Sequence, residues 1–132
     1  MTRKTDGSRS ACLGAWLALH GAKIGADVQP YQLGRIVDEM QRATRAAKNW
    51  GVRLCNEPMD DQQHDRGMNR IHRMEAKINA RLVELFGTDD VDLCPRVEIG
   101  GDPRGACGKL LIPGQRGDGW GEGFAIYQEG AR

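Results

Sequence analysis

The sequence predicts an α+β fold, in which an antiparallel helical hairpin plus an N-terminal helix pack on a small three-stranded antiparallel sheet. Apolar residues recur every three or four positions through the first two thirds of the chain, as on the buried face of a helix. After Cys94 the apolar spacing changes to two and glycines become frequent, which is typical of short strands joined by turns. The 132 residues are expected to form a single domain, helical over residues 11–86 and a β-meander over residues 93–128.

The N-terminal part is predicted to be a loose tail followed by one helix. Residues 1–10 are polar and are expected to be flexible. The helix should end near Ile24 and bury Leu13 and Leu17. Its apolar segment is too short to span a membrane, and its flanking residues do not fit a secretory signal peptide.

The middle of the chain is predicted to form the helical hairpin. Residues 31–49 and 61–86 each carry one apolar stripe, and a short polar connection joins them. The first helix is expected to stop before Gly51, and the second before Gly87. Four side chains should be buried between the two helices: Met40, Ile71, Ile78 and Leu82.

The last third of the chain is predicted to contain three strands. Residues 96–99 alternate charged and apolar side chains, which indicates a strand with one buried face. Residues 106–112 should form its partner, and a third strand is expected within residues 123–128. Between the first two strands, the Asp-Pro-Arg-Gly sequence at residues 102–105 is typical of a type I turn.

The most informative surface feature is a row of cations on the second hairpin helix. We call it the basic row, and its members follow one another at spacings of three or four: Arg66, Arg70, Arg73, Lys77 and Arg81. They fall within an arc of about 80° beside the apolar stripe. Like charges at this spacing repel, and the net charge of the chain is only +1. The row therefore indicates contact with phosphates or an acidic protein surface, and a solvated helix face is the alternative.

Two further side chains are candidate contacts for a partner. Arg104 lies at the tip of the predicted turn, and Trp120 lies within the glycine-rich segment 114–123. An exposed tryptophan can anchor a protein partner, whereas the same side chain folded back would cover the sheet.

No motif predicts a catalytic site or a cofactor. Residues 101–110 resemble the phosphate-binding loop of nucleotide triphosphatases, but Pro103 replaces a required glycine and Leu110 replaces the required Ser or Thr. The protein is therefore not expected to be an enzyme.

The cysteines do not predict a metal site or a disulfide scaffold. Their spacing fits neither a zinc framework nor a small disulfide-rich protein, so reduced thiols are expected. A zinc site made of Cys55, His64 and His72 is conceivable, but a spacing of eight does not place the histidines on adjacent helical turns. The four cysteines are Cys12, Cys55, Cys94 and Cys107.

The order of these motifs resembles that in a diffuse group of small hypothetical proteins of bacterial viruses. The features that carry the resemblance are the Leu-Cys-Asn helix end at residues 54–56, the basic helix, and the Gly-Gly-Asp-Pro-Arg-Gly turn at residues 100–105. The likeness covers roughly residues 33–127. It implies an accessory viral protein in the bacterial host cytoplasm that binds and blocks host machinery, including CRISPR complexes, and it implies no catalytic residues.

Two functions are expected on these grounds. The first is a host-machinery inhibitor that binds a host protein or nucleoprotein complex through the basic row, Arg104 and Trp120. The alternative is a nucleic-acid-binding module that uses the basic row on phosphates. Binding to a duplex should weaken steeply with salt, whereas a protein interface with an apolar centre should weaken less. Neither function requires a membrane or a cofactor.

Overall fold

The computed structural model describes residues 3–100, 108–113 and 124–126, and the side chains of residues 11–100, 108–113 and 126. It is an α+β structure of three helices and a small antiparallel sheet. In chain order the elements are α1 (Arg3–Ile24), α2 (Pro30–Asn56), α3 (Asp61–Phe86), β1 (Arg96–Ile99), β2 (Gly108–Leu111) and β3 (Phe124–Ala125).

The first helix is longer than predicted. Residues 1–10 were expected to be a flexible tail, but α1 begins at Arg3. Leu13 and Leu17 are buried against the rest of the molecule, as predicted. Once that part of the helix is anchored, each added residue forms one backbone hydrogen bond without a new nucleation cost, so the helix extends towards the N-terminus.

The second helix also runs past its predicted end. α2 continues through Gly51 to Asn56, because Gly51 is buried and the packing around it offsets the helix-propensity cost of a glycine, about 1 kcal/mol. The helix ends where Glu57 adopts an extended conformation, with φ −126° and ψ 138°. A residue that precedes a proline favours this conformation, and the next residue is Pro58.

The third helix has the predicted bounds. The carboxylate of Asp60 accepts a hydrogen bond from the backbone N–H of Gln63 at 2.8 Å, and the Gln63 side chain accepts one from the Asp60 N–H at 3.0 Å. This reciprocal pair caps the N-terminus of α3. At the other end Gly87 has φ 72°, a left-handed conformation that favours glycine and ends the helix.

The two long helices pack antiparallel, as predicted. Glu39, near the start of α2, forms an ion pair with Arg81, near the end of α3. At the opposite end, the Trp50 ring of α2 lies against Gly67 of α3. The four side chains predicted between the helices are all buried: Met40, Ile71, Ile78 and Leu82.

The sheet is smaller than the predicted meander. β1 and β2 pair antiparallel with Val97 opposite Leu110, and both of these side chains are buried. The structure describes residues 124–126 of the expected third strand, and within them only Phe124–Ala125 form a strand, the two-residue β3 at the edge of β2, so the prediction of a three-stranded sheet holds only in part. The predicted turn at residues 102–105 lies outside the described residues.

Side chains of α3 cover the outer edge of β1. The amide of Asn79 donates to the Val97 carbonyl at 3.1 Å and accepts from the Val97 N–H at 2.8 Å. A carboxylate oxygen of Glu75 accepts from the Ile99 N–H at 2.9 Å. These bonds satisfy backbone groups that would otherwise be available to another strand, and they hold the sheet against α3.

Replacing Asn79 with alanine is expected to lower the free energy of unfolding by about 1–3 kcal/mol, since it leaves the Val97 N–H and carbonyl without partners. Thermal unfolding followed by circular dichroism measures the effect. Asn69→Ala, at an exposed position of the same helix, is the matched control. Equal melting temperatures for the two variants would show that the Asn79 bonds do not stabilise the sheet.

Candidate functional site

The basic row lies on the surface of α3, as predicted, but its five members do not have the same environment. Four of them are exposed: Arg66, Arg70, Arg73 and Lys77. The side chain of Arg81 is 40% exposed, and its Nε lies 3.2 Å from the Glu39 carboxylate of α2. Arg81 therefore braces the two helices, and its charge is partly neutralised within the molecule.

A second set of cations lies on the neighbouring helix. All four are exposed arginines of α2: Arg35, Arg42, Arg45 and Arg53. Each lines a groove between α2 and α3 together with arginines of the basic row. We call the α2 arginines and the basic row together the cationic face. Helical periodicity within α2 alone does not predict that they lie beside the basic row.

Two adjacent grooves form the centre of the cationic face. One has a volume of about 400 Å³, and its lining includes Arg66 and Arg73. The other has a volume of about 250 Å³ and is lined by Arg42 and Arg45. Both grooves share Trp50, Arg53 and Arg70. None of the described residues that line either groove is acidic, so an anion there would meet no opposing carboxylate in the lining.

Trp50 forms the floor shared by these grooves. Its ring lies so close to Gly67 that any side chain at that position would overlap it. Its Nε1–H points to the sulfur of Met68 at 3.2 Å, and the Arg53 guanidinium lies 5.5 Å from the ring centroid. The tryptophan thus fixes the distance between α2 and α3, and Arg53 is oriented both by this cation–π contact and by an ion pair of its Nε with the Glu57 carboxylate at 3.3 Å.

A third groove lies at the other end of the same helix pair. It has a volume of about 250 Å³, and its lining includes Tyr31, Arg35, Arg81 and Glu84. Tyr31 is 67% exposed. This end of the cationic face is less positive than the centre, because Glu84 lines this groove whereas none of the described residues lining the two central grooves is acidic.

Charge is unevenly distributed over a molecule whose net charge is +1. The cationic face holds nine of the 19 basic residues, of which Arg53 forms an ion pair with Glu57 and Arg81 with Glu39. Other acids cluster elsewhere, for example Asp89 and Asp90 in the segment that follows α3. A net charge close to zero is therefore compatible with one strongly positive surface.

Among the side chains that the structure describes, the cysteines and histidines form no comparable site. Cys12 and Cys55 are exposed free thiols, and Cys94 is buried. Burial raises the pKa of the Cys94 thiol, and the nearby Asp89 carboxylate raises that pKa further, so Cys94 is not a ready nucleophile. Within residues 11–100, 108–113 and 126, no group of three His, Cys, Asp or Glu side chains is arranged to hold a metal ion.

Two predicted contact residues cannot be placed relative to the cationic face. Arg104 and Trp120 lie outside the described residues, and their roles stay predictions. Among the helices that the structure describes, none is long and apolar enough to cross a membrane.

The chain matches no protein-family model, no curated protein and no solved structure. Its function is therefore inferred from the chemistry of the cationic face.

Proposed function

We propose that the protein acts by binding rather than by catalysis, and that its cationic face binds the phosphate backbone of a nucleic acid. The observation that carries this proposal is the pair of arginine-lined grooves without an acidic lining residue, on a molecule with a net charge of only +1. Guanidinium groups bind phosphate oxygens through paired N–H donors, and each neutralised phosphate releases counterions.

The shape of the cationic face suits an elongated polyanion. Its α2 arginines run from Arg35 to Arg53, 18 residues apart, so the face extends for about 27 Å along the helix axis. Cations stand in two rows, one on each side of the shared grooves. A compact anion would occupy one groove, whereas a chain of phosphates can contact arginines along the whole length.

A second candidate function is inhibition of host machinery during viral infection of a bacterium. It is favoured by the resemblance of the motif order to that of small proteins of bacterial viruses. In this case the cationic face would contact an acidic surface of a host protein or nucleoprotein complex in the bacterial cytoplasm, and CRISPR-type defence complexes are candidate targets.

Reversing two charges of the basic row tests the first proposal. The double variant Arg73→Glu with Lys77→Glu is expected to bind a fluorescent oligonucleotide at least about tenfold more weakly, a loss of about 1.4 kcal/mol. Its circular dichroism should be unchanged and its melting temperature equal or higher, because the change relieves repulsion along α3. Fluorescence anisotropy measures the affinity, with single-stranded and duplex oligonucleotides as probes.

The matched control carries the same change in net charge at residues that line none of the three grooves. Lys23→Glu with Arg96→Glu alters two exposed cations, one on α1 and one on β1. This control should retain the wild-type affinity. Full binding by the folded Arg73 and Lys77 variant would contradict the proposal. Capture of a host protein by the wild type but not by that variant, without oligonucleotide binding, would support the second function instead.

A further inference from the structure

We propose that the nucleic acid is single-stranded, and that Tyr31 provides the surface on which one of its bases stacks. This inference rests on the proposed function of the cationic face and specifies its partner. The juxtaposition that carries it is an exposed aromatic ring at one end of a long, arginine-lined surface.

Tyr31 is exposed but held by an ordered backbone. It is the second residue of α2, directly after Pro30, whose ring fixes the backbone of the first helical turn. The Gln29 N–H donates to the Gln32 side chain at 3.0 Å across the same turn. Tyr31 is nevertheless 67% exposed, and it lines the third groove. A large aromatic ring on a rigid helix start is available for stacking at little conformational cost.

The charges around Tyr31 favour a base over a phosphate at this point. Arg35 and Arg81 line the groove with it, but Glu84 lines the same groove and Glu39 pairs with Arg81. The strongest positive potential therefore lies further along α2, around Trp50. A strand that places its phosphates over the central grooves can place a base at the less charged end.

The separation of the two sites suits a short single strand. Tyr31 and Trp50 are 19 residues apart on α2, which corresponds to about 28 Å along the helix. Proteins that bind single strands combine a basic surface for the backbone with aromatic side chains on which bases stack. A duplex keeps its bases stacked on one another, so the Tyr31 ring would find no base to contact.

Substitution of Tyr31 separates the two kinds of nucleic acid. The probes are fluorescent single-stranded DNA and RNA of about 16 nucleotides and the corresponding DNA duplex. Wild-type protein should bind a single strand more tightly than the duplex. Tyr31→Ala should weaken single-strand binding at least about fivefold and leave duplex binding unchanged, whereas Tyr31→Phe should stay within about twofold of the wild type. Comparison of the DNA and RNA strands identifies which of them is preferred.

Leu19→Ala is the matched control, because Leu19 is 66% exposed on α1 and does not line the grooves of the cationic face. Unchanged single-strand binding by Tyr31→Ala, or equal binding of the duplex by the wild type, would overturn the inference. If the double variant Arg73→Glu with Lys77→Glu still binds the oligonucleotides more weakly than the wild type does, the proposed function survives. If no probe binds the wild type, the proposed function fails with the inference.

Discussion

Replacing Gly67 with alanine should lower the free energy of unfolding by about 1–3 kcal/mol, although alanine normally stabilises a helix interior. The new methyl group would overlap the Trp50 ring. That ring is held on other sides by the contact of its Nε1 with Met68 and by the Arg53 guanidinium. Relief of the overlap therefore separates α2 from α3 or expels the ring, and either change also deforms the central grooves.

Gly34→Ala provides a close comparison for this variant. Gly34 is an exposed glycine of α2, and a side chain there would meet open space. It should raise the free energy of unfolding by about 0.5–1 kcal/mol through helix propensity alone. Thermal unfolding should shift by roughly 3–6 °C per kcal/mol, in opposite directions for the two variants. Equal stabilisation by both substitutions would mean that Trp50 does not pack against Gly67.

The double variant Arg42→Glu with Arg70→Glu should bind oligonucleotides about a hundredfold more weakly than the wild type, a loss of about 2.7 kcal/mol. The two arginines belong to different helices and line the same groove. Their reversal removes two phosphate contacts and places repulsive charges on both sides of one binding path. The expected loss is larger than for Arg73 and Lys77, which both lie on α3.

Neutral substitutions at the same positions separate lost contacts from added repulsion. Arg42→Gln with Arg70→Gln should weaken binding less than the double reversal, because it removes the contacts without opposing charge. Fluorescence anisotropy of all variants at one salt concentration gives the comparison. If the control Lys23→Glu with Arg96→Glu lost as much affinity as Arg42→Glu with Arg70→Glu, binding would depend on net charge alone and not on the cationic face.

The bounds of α3 were predictable because three local signals agree on them. A capping aspartate, a regular apolar stripe and a terminal glycine all occur within one segment. The end of α2 was not predictable in this way. Gly51 resembles a stop signal in the sequence, and only its burial in the folded molecule allows the helix to continue.

The candidate site was predictable on one helix and not on the other. The basic row follows from helical periodicity within α3 alone. The contribution of α2 depends on the rotation of one helix against the other, which is set by contacts distant in sequence, such as Trp50 with Gly67 and Glu39 with Arg81. The same packing pairs Arg81 with Glu39, which could not be predicted from the position of Arg81 in the basic row.

The salt dependence of wild-type binding tests most directly the claim that the cationic face binds phosphates. The Kd for a fluorescent single strand is measured from about 50 mM to about 200 mM NaCl. If four or more phosphates are neutralised, the logarithm of the binding constant should fall against the logarithm of the salt concentration with a slope of about −3 or steeper. The Arg42 and Arg70 variant should give a shallower slope. A wild-type affinity that barely changes with salt, or no saturable binding at the lowest salt concentration, would contradict the claim.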